Sequence, residues 1–272
     1  MMVPIESTDD ARIDGFRALR DRDLLALDPA THADGALPAG AFVAEGEVVL
    51  RVLLAQARHP TRAVLVSDAQ AQRLSALLSV LDVPVYVAPL PVLQAIVGFP
   101  IHRGVLALGD RIPASSLDDL LEPATRVVGL CGITNHDNVG GIFRNAAAFG
   151  VGAVLCDRAT CDPLYRKALR VSVGGSLVVP YAQVRDETAV VEALATRGYE
   201  VLALTPRGEL VIGRDPAPSG RVALLLGAEG PGLAAQTLRR CRTARVPMSD
   251  GWDSLNVAVT SGIALAWLRT AS

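Results

Sequence analysis

The sequence has no apolar run long enough to cross a lipid bilayer, which requires about 20 consecutive apolar residues. Its most apolar stretch, residues 255–268, is interrupted by Asn256, Thr260 and Ser261. The first residues, MMVPIESTDDARIDGF, lack the basic-then-apolar pattern of a secretory signal. These absences argue against a membrane protein, and we expect a cytoplasmic one.

Cysteine is scarce, and the common phosphate-binding glycine motifs are missing. The four cysteines form no C-x-x-C pair, and Cys156 and Cys161 lack further ligands at metal spacing. We therefore expect reduced core thiols and no metal site. Neither G-x-x-x-x-G-K-[ST] nor a G-x-G-x-x-G between a strand and a helix occurs. This disfavours a phosphate-loop nucleotide enzyme and a nucleotide-dependent oxidoreductase.

Lysine is almost absent, and the overall charge is nearly balanced. The net charge of −2 argues against a broad nucleic-acid-binding surface. Every basic residue except Lys167 is arginine, the side chain that grips phosphate with a bidentate fork. Two local clusters, YRKALR at 165–170 and RRCRTAR at 239–245, are therefore either phosphate contacts or solvated helix faces.

The sequence does contain two successive alternations of apolar strands and helices. Residues 41–109 form the first, preceded by one candidate helix at 11–27. The polar stretch DRIPASSLDDLLEPATR is typical of a linker. We therefore expect an N-terminal α/β domain at 1–112, a linker at 113–124 and a second domain at 125–272.

The second alternation predicts a mostly parallel sheet covered by helices on both faces. The predicted strands are 126–133, 153–157, 177–183, 200–205, 221–227 and 244–248, and the predicted helices are 138–149, 163–172, 187–197, 233–240 and 254–269. Three polar, glycine-containing segments follow strands: TNHDNVGG, GAEGPG and MSDGWDSLN. Because ligands bind at the carboxyl ends of such strands, these segments are expected to form one composite site.

Polar residues stand where the segments run into apolar helices. Asn138 is expected to cap its helix, and Arg144 lies six residues on in an apolar surround. A buried guanidinium is costly without a partner, so an anionic ligand or a carboxylate such as Glu229 should face it.

The third segment also contains a polar residue that would need a partner. Asp253 or Ser254 is the expected N-cap of the helix that follows. Asn256 would then lie inside the first turn of an apolar helix, as a buried amide that needs specific partners.

The three segments, in this order, resemble the signature motifs of the SpoU/TrmH family of RNA ribose methyltransferases. The first motif is N-x-G-x-x-x-R followed by A-x-x-F-G, here Asn138, Gly140, Arg144 and AAAFG. The second is L-G-x-E-G-x-G, here LGAEGPG. The third is I-P-M followed by S-L-N-V, here VPM and SLNV. Three ordered motifs are specific where each alone would be weak.

The resemblance covers about residues 125–270, and the N-terminal region resembles the ribosomal-protein-like substrate-binding domain of two-domain members. There are departures from the family pattern. TNHD precedes Asn138 where Asp-Pro is common, Val246 replaces isoleucine, and Ala258 stands where serine is common. The first departure concerns local contacts with the substrate.

The resemblance implies an α/β fold whose C-terminal methyltransferase domain is a trefoil knot of the SPOUT type, which periodicity alone could not reveal. It also implies a homodimer and S-adenosylmethionine as methyl donor to a ribose 2′-hydroxyl. By residue-wise comparison, the cofactor-binding residues are Gly227, Val246 and Leu255. The residues implied for catalysis are Asn138, Arg144, Glu229, Ser254 and Asn256.

The family assigns Arg144 as general base, but arginine stays protonated in proteins. A role in orienting the phosphate and stabilising charge fits its chemistry better. We expect ribosomal RNA as the substrate, with transfer RNA second, and no membrane or metal partner. The alternatives are a non-catalytic RNA-binding protein of the same fold and methylation of a base. Cysteine is absent from all three segments, which argues against attack on a pyrimidine ring.

Overall fold

The computed structural model describes residues 2–16, 40–98, 101, 104–113, 115–252 and 254–270. Contacts divide the chain into two compact units. The first unit contains the described residues up to Pro113 together with Leu164–Leu177, and the second contains the other described residues. The assignment of separate domains at 1–112 and 125–272 stays a prediction.

The first unit is built on a five-stranded mixed sheet with the strand order β1-β4-β3-β5-β2. Strands β1, β4 and β3 run parallel, whereas β5 is antiparallel to both β3 and β2. The strands are β1 Met2–Pro4, β2 Ala41–Glu45, β3 Thr61–Ser67, β4 Val85–Ala88 and β5 Val105–Asp110. The helices are a 3₁₀ helix Ala11–Phe16, α1 Glu47–Gln56, α2 Asp68–Arg73, α3 Ser75–Leu78 and α4 Leu90–Val97.

The alternation predicted for residues 41–109 is confirmed. The three-residue strand Met2–Pro4 was not predicted, since so short a segment shows no periodicity. Of the candidate helix at 11–27, residues 11–16 form the 3₁₀ helix, and the remainder lies outside the described residues.

The second unit is built on a seven-stranded sheet with the order β10-β12-β9-β11-β6-β7-β8. All its strand pairs are parallel, which confirms the predicted parallel sheet. Its strands are β6 Arg126–Cys131, β7 Ala153–Asp157, β8 Tyr181–Val184, β9 Glu200–Leu204, β10 Leu210–Val211, β11 Val222–Gly227 and β12 Arg242–Arg245. Its helices include α5 Leu117–Leu121, α6 His136–Ala148, α9 Glu187–Ala195, α10 Ala235–Arg240 and α11 Val257–Arg269.

The register of the two central strands brings two of the polar segments to one edge. Strands β11 and β6 pair from Val222 with Arg126 to Gly227 with Cys131, so both strands end at the same level. The glycine-rich turn after β11 and the segment that leads into α6 therefore leave the sheet side by side.

Helices α6 and α11 cross so closely that only a small residue fits at the crossing. A Cβ added to Gly141 would lie 2.7 Å from the Cβ of Ala258. Across the same crossing, the Asn145 side chain donates to the Ala258 carbonyl at 2.7 Å and to the Ser261 hydroxyl at 2.9 Å. The helix that carries Arg144 is thus held firmly against the helix of the third segment.

The segment Leu164–Leu177 of the first unit contains α7 Arg166–Val171 and the start of α8 Gly175–Val178. The buried Glu45 carboxylate pairs with Arg166 at 2.8 Å and with Arg170 at 3.2 Å. Such pairing compensates the cost of a buried charge. Two arginines of the 165–170 cluster are therefore committed to an internal ion pair.

Several predicted boundaries in the second unit are wrong. Residues 177–183 were predicted as one strand, but α8 ends at Val178 and β8 begins only at Tyr181, on either side of Pro180. The predicted strand 244–248 is displaced to Arg242–Arg245, before Pro247. The predicted linker contains the short helix α5, which Ser116 caps. No helix within the described ranges is long and apolar enough to cross a membrane.

Candidate active site

The glycine-rich segment after β11 forms a turn that closes on itself. The Gly232 amide donates to the Ala228 carbonyl at 3.0 Å, and these two residues form a bridge. A Cβ at Gly227 would lie 2.5 Å from the Leu233 amide nitrogen, so only glycine allows the two backbones to approach so closely. The turn leaves the side chain of Glu229 exposed at its tip.

The first segment does not begin its helix as predicted. Asn135 is the N-cap of α6, and its side-chain oxygen accepts a hydrogen bond from the Asp137 amide at 2.8 Å. The prediction that Asn138 caps the helix is therefore wrong. Asn138 lies in the first helical turn, is 4% exposed, and has its side-chain amide available for tertiary contacts.

Two residues that the sequence analysis did not select hold this segment in place. The buried carboxylate of Asp157, at the end of β7, accepts hydrogen bonds from the Gly132 amide at 3.0 Å and the Thr160 amide at 2.8 Å. The Thr160 hydroxyl accepts from the Ile133 amide at 3.2 Å. Asp157 ends a predicted strand and Thr160 follows it, so their position at the carboxyl edge of the sheet was the available signal.

The third segment is also capped differently from the prediction. Asn256 is the N-cap of α11, and its side-chain oxygen accepts from the amides of Ala258 at 2.9 Å and Val259 at 3.2 Å. The prediction of Ser254 as cap is wrong, and Asp253 lies outside the described residues. Asn256 is exposed, not buried, because it precedes the helix and does not lie within its first turn.

One chain of hydrogen bonds joins all three segments. The Asn256 side-chain NH₂ donates to the Asn138 side-chain oxygen at 2.8 Å, and the Asn138 NH₂ donates to a carboxylate oxygen of Glu229. Both partners of Asn138 are about a hundred residues away in sequence. These hydrogen bonds, from Asn256 through Asn138 to Glu229, form a relay that fixes the orientation of both side-chain amides and ends at a carboxylate.

Arg144 does not take part in this relay. It is exposed, and no described residue makes a hydrogen bond or ion pair with its guanidinium. The predictions of a buried Arg144 and of Glu229 as its partner are therefore wrong. Six residues along an α-helix correspond to a rotation of about 120° away from the starting side chain, so Arg144 and Asn138 point in different directions. Because it is exposed, an anionic group of a bound ligand can reach the guanidinium.

A cavity of about 550 Å³ opens beside the relay at the carboxyl edge of the sheet. Its lining includes the residues predicted to bind the cofactor, Gly227, Val246 and Leu255, and three of the residues predicted for catalysis, Glu229, Ser254 and Asn256. Asn138 and Arg144 do not line it. Asn138 reaches it through its hydrogen bonds with Glu229 and Asn256.

The sequence analysis missed one wall of this cavity. It is formed by Leu204 at the end of β9, by Thr205 and Pro206 directly after that strand, and by Arg245 at the end of β12. A strand was predicted at 200–205, so the rule that ligands bind at carboxyl ends could have identified the turn that follows.

All four cysteines are free thiols, and none of them lines the cavity. Cys131 and Cys156 are buried, as expected, and burial raises the pKa of both well above its ordinary value. Burial likewise raises the pKa of Cys161 to about 12. These thiols are therefore protonated at neutral pH and are poor nucleophiles.

Comparison with known proteins shows which family the chain resembles. The profile of the SpoU rRNA Methylase family matches residues 125–266. A protein of Mycobacterium tuberculosis named as an uncharacterized tRNA/rRNA methyltransferase is 39% identical over 262 residues, covering 94% of this chain and 88% of the relative. A 23S rRNA (guanosine-2′-O-)-methyltransferase of Acinetobacter baylyi is 30% identical over 205 residues, covering 73% and 83%. The AdoMet-bound rRNA methyltransferase of Sinorhizobium meliloti superposes with a TM-score of 0.78 at 22% identity, covering 99% of this chain and 98% of the other, and shares the fold.

Proposed function

The chain belongs to the SpoU rRNA methylase family, and on this basis we propose that it transfers a methyl group from S-adenosylmethionine to a ribose 2′-hydroxyl of RNA. The observation that carries the proposal is the relay from Asn256 through Asn138 to Glu229 beside a cavity of small-molecule size. The relay joins the three segments whose motifs resemble those of the family. A protein that retained only the fold and bound RNA passively would have no need of such a connection.

The names of the relatives support ribose over base and ribosomal RNA over transfer RNA. The Acinetobacter baylyi relative is named for 2′-O-methylation of guanosine in 23S rRNA. The Mycobacterium tuberculosis relative is named for both classes of RNA, so transfer RNA stays the second candidate. The cysteines also favour the ribose, because none of them lines the cavity, where it could attack a pyrimidine ring.

The cavity fits S-adenosylmethionine in size and in the chemistry of its lining. Its volume of about 550 Å³ falls within the range of about 300–1,000 Å³ that is usual for small-molecule sites. We propose that Val246 and Leu255 contact the adenine ring and that the bare backbone of Gly227 approaches the cofactor closely. When bound, the cofactor supplies a reactive methyl group on a sulfonium.

The residues of the chain position the acceptor. We propose that Arg144 binds the phosphate next to the target ribose and stabilises negative charge that develops on the 2′-oxygen. Its guanidinium keeps its proton, so removal of the hydroxyl proton is not assigned to it. The polar wall of the cavity is formed by Glu229 and Asn256, and Asn138 bonds to both of them. The exposed hydroxyl of Ser254 can donate a hydrogen bond to the ribose or accept one from it.

We further propose that the methyltransferase domain is a trefoil knot and that the protein is a homodimer, and family membership supports both. On α11, Val259 and Ile263 lie one turn apart with 53% and 37% of their surfaces exposed. Exposed apolar side chains of this kind mark interaction surfaces. Light scattering should give the mass of a dimer at micromolar concentration, and a monomer mass would contradict the proposal. Its proposed place of action is the cytoplasm, where its RNA substrate is found.

We propose separate roles for the two domains. All residues that line the cavity lie in the second unit, which supports the assignment of the chemistry to residues 125–272. The N-terminal region 1–112 is proposed to bind the RNA substrate, as its ribosomal-protein-like resemblance implies.

The proposal is tested first by binding and then by chemistry. Calorimetry should show that the purified protein binds S-adenosylmethionine, which a non-catalytic RNA-binding protein would not do. Methylation maps of RNA from cells with and without the protein should then identify the target nucleotide. A substrate with one 2′-deoxy nucleotide at that position should still bind through its phosphates but accept no methyl group. Continued methylation of that nucleotide would identify a base as the acceptor.

A further inference from the structure

The turn formed by residues 205–209 supplies a wall of the cavity that lies outside all three motif segments. Leu204, at the end of β9, and Thr205 and Pro206 in the turn itself face the cavity. The shape of the cavity therefore depends on how this turn is held.

Hydrogen bonds to the backbone and to one side chain of β12 hold the turn close to the sheet. The Thr205 amide donates to the Ala244 carbonyl at 3.0 Å, and the Glu209 amide donates to the Thr243 hydroxyl at 3.1 Å. A Cβ at Gly208 would lie 2.3 Å from the Ala244 carbonyl carbon. Glycine at this position lets the turn lie directly against the backbone of β12.

Arg245 adds a charged side chain to these contacts. Its guanidinium donates to the Gly208 carbonyl and, at 3.4 Å, to the Glu209 carbonyl. Arg245 is half-buried and lines the cavity itself. Both of these acceptors are main-chain carbonyls, so the guanidinium is directed at the backbone of the turn. Hydrogen bonds from a charged donor are the stronger ones in proteins.

We propose that Arg245 is a positioning residue for S-adenosylmethionine, and that it acts by holding the turn 205–209 in place as a wall of the cofactor cavity. This inference rests on the proposed function. Arg245 does not belong to the relay, and its proposed role requires no contact with the reacting atoms. Its effect should therefore fall on cofactor affinity and not on the methyl-transfer step.

The test measures the affinity of the full-length protein for S-adenosylmethionine by calorimetry, without RNA. In Arg245→Met, which keeps an apolar stem but no donor, we expect the Kd to rise by about 10-fold, the scale of one lost charged hydrogen bond. Arg245→Lys should recover part of the affinity, since an ammonium can still donate to the Gly208 carbonyl. In methylation assays, Arg245→Met should raise the KM for the cofactor and leave kcat at saturating cofactor nearly unchanged.

Arg242→Ala is the matched control. Arg242 lies on the same strand, pairs with Glu200 at 2.7 Å and does not line the cavity. Its Kd for the cofactor should equal that of the wild type. Gly208→Ala displaces the same turn by a different route and should weaken binding at least as much as Arg245→Met.

The outcomes separate the inference from the proposed function. If the wild type does not bind S-adenosylmethionine, the proposed function is wrong and the inference is overturned with it. If the wild type binds and Arg245→Met binds with the same Kd, the inference is overturned and the proposed function stands. If Arg245→Met fails to fold, Gly208→Ala decides, because a wild-type Kd in that variant would show that the turn does not shape the cofactor cavity and would overturn the inference.

Discussion

The side-chain amide of Asn138 bonds to partners on both sides of the candidate site. Its oxygen accepts from Asn256 and its NH₂ donates to Glu229, so one buried residue connects the helix caps and turns of three segments. A buried amide keeps a fixed orientation only while both of its partners are present.

Asn138→Ala should therefore reduce both stability and activity. Removing one partner of a buried hydrogen bond costs about 1–3 kcal/mol, and urea unfolding would measure the loss. The matched control is Asn145→Ala on the same helix, which removes the bonds to Ala258 and Ser261 but leaves the relay intact. We expect a similar loss of stability in both variants and a larger loss of methyl transfer in Asn138→Ala. Equal activity losses would show that the relay matters only for folding.

Arg144 presents the opposite situation, because it is exposed and no described residue pairs with it. Arg144→Ala should change the free energy of unfolding by less than about 0.5 kcal/mol, the usual range for such surface positions. It should keep much of the cofactor affinity and lower the single-turnover rate of methyl transfer by about 100-fold or more. Arg144→Lys keeps the charge without the fork and should fall in between. A near-normal rate for the alanine variant would remove Arg144 from the mechanism.

At the scale of elements, the crossing of α6 and α11 sets the distance between the first and third segments. Gly141 faces Ala258 at this crossing, and Asn138 and Asn256 of the relay lie three and two residues before them. Small residues at a helix crossing allow the backbones to approach closely, so any larger side chain there separates the helices.

Gly141→Ala should destabilise the protein although alanine favours the helix by about 1 kcal/mol. The added methyl group would lie 2.7 Å from the Ala258 side chain, and such overpacking typically costs about 1–3 kcal/mol. The double variant Gly141→Ala with Ala258→Gly should recover most of the lost packing. Urea denaturation of Gly141→Ala, Ala258→Gly and the double variant measures this coupling, and additive effects would mean that the two positions do not contact each other in solution.

At the scale of the whole molecule, the structure groups residues by contact and not by sequence order. Residues Leu164–Leu177 belong to the first unit, although in sequence they come between β7 and β8 of the second sheet. The buried Glu45, held by Arg166 and Arg170, is the charged centre of that grouping.

Deletion of residues 1–112 tests the proposed division of roles. Because the whole cavity lining lies in the second unit, the truncated protein should still bind S-adenosylmethionine. Its RNA methylation should fall sharply, since the proposed RNA-binding domain is lost. Calorimetry and a methylation assay on the same preparation measure both properties. A truncated protein that is folded by circular dichroism but has lost the cofactor would contradict this division.

The parallel sheet and the position of the site could be predicted from sequence because both depend on local patterns. Apolar strands such as 222–227 separated by helices predict a covered parallel sheet. Polar and glycine-rich segments after those strands predict a site at their carboxyl ends. These patterns predict one site for the segments that contain Gly227, Glu229 and Asn256, and all three residues line one cavity in the structure.

Which side chain bonds to which was decided only by the tertiary structure. Glu229 bonds to Asn138 and not to Arg144, and Asn135 and Asn256 cap their helices in place of the predicted residues. These contacts depend on strand register, on the rotation of α6 and on its crossing with α11. Partners such as Asn138 and Asn256 are 118 residues apart in sequence. Local propensity acts over a few residues, so it could identify the segments but not the bonds between them.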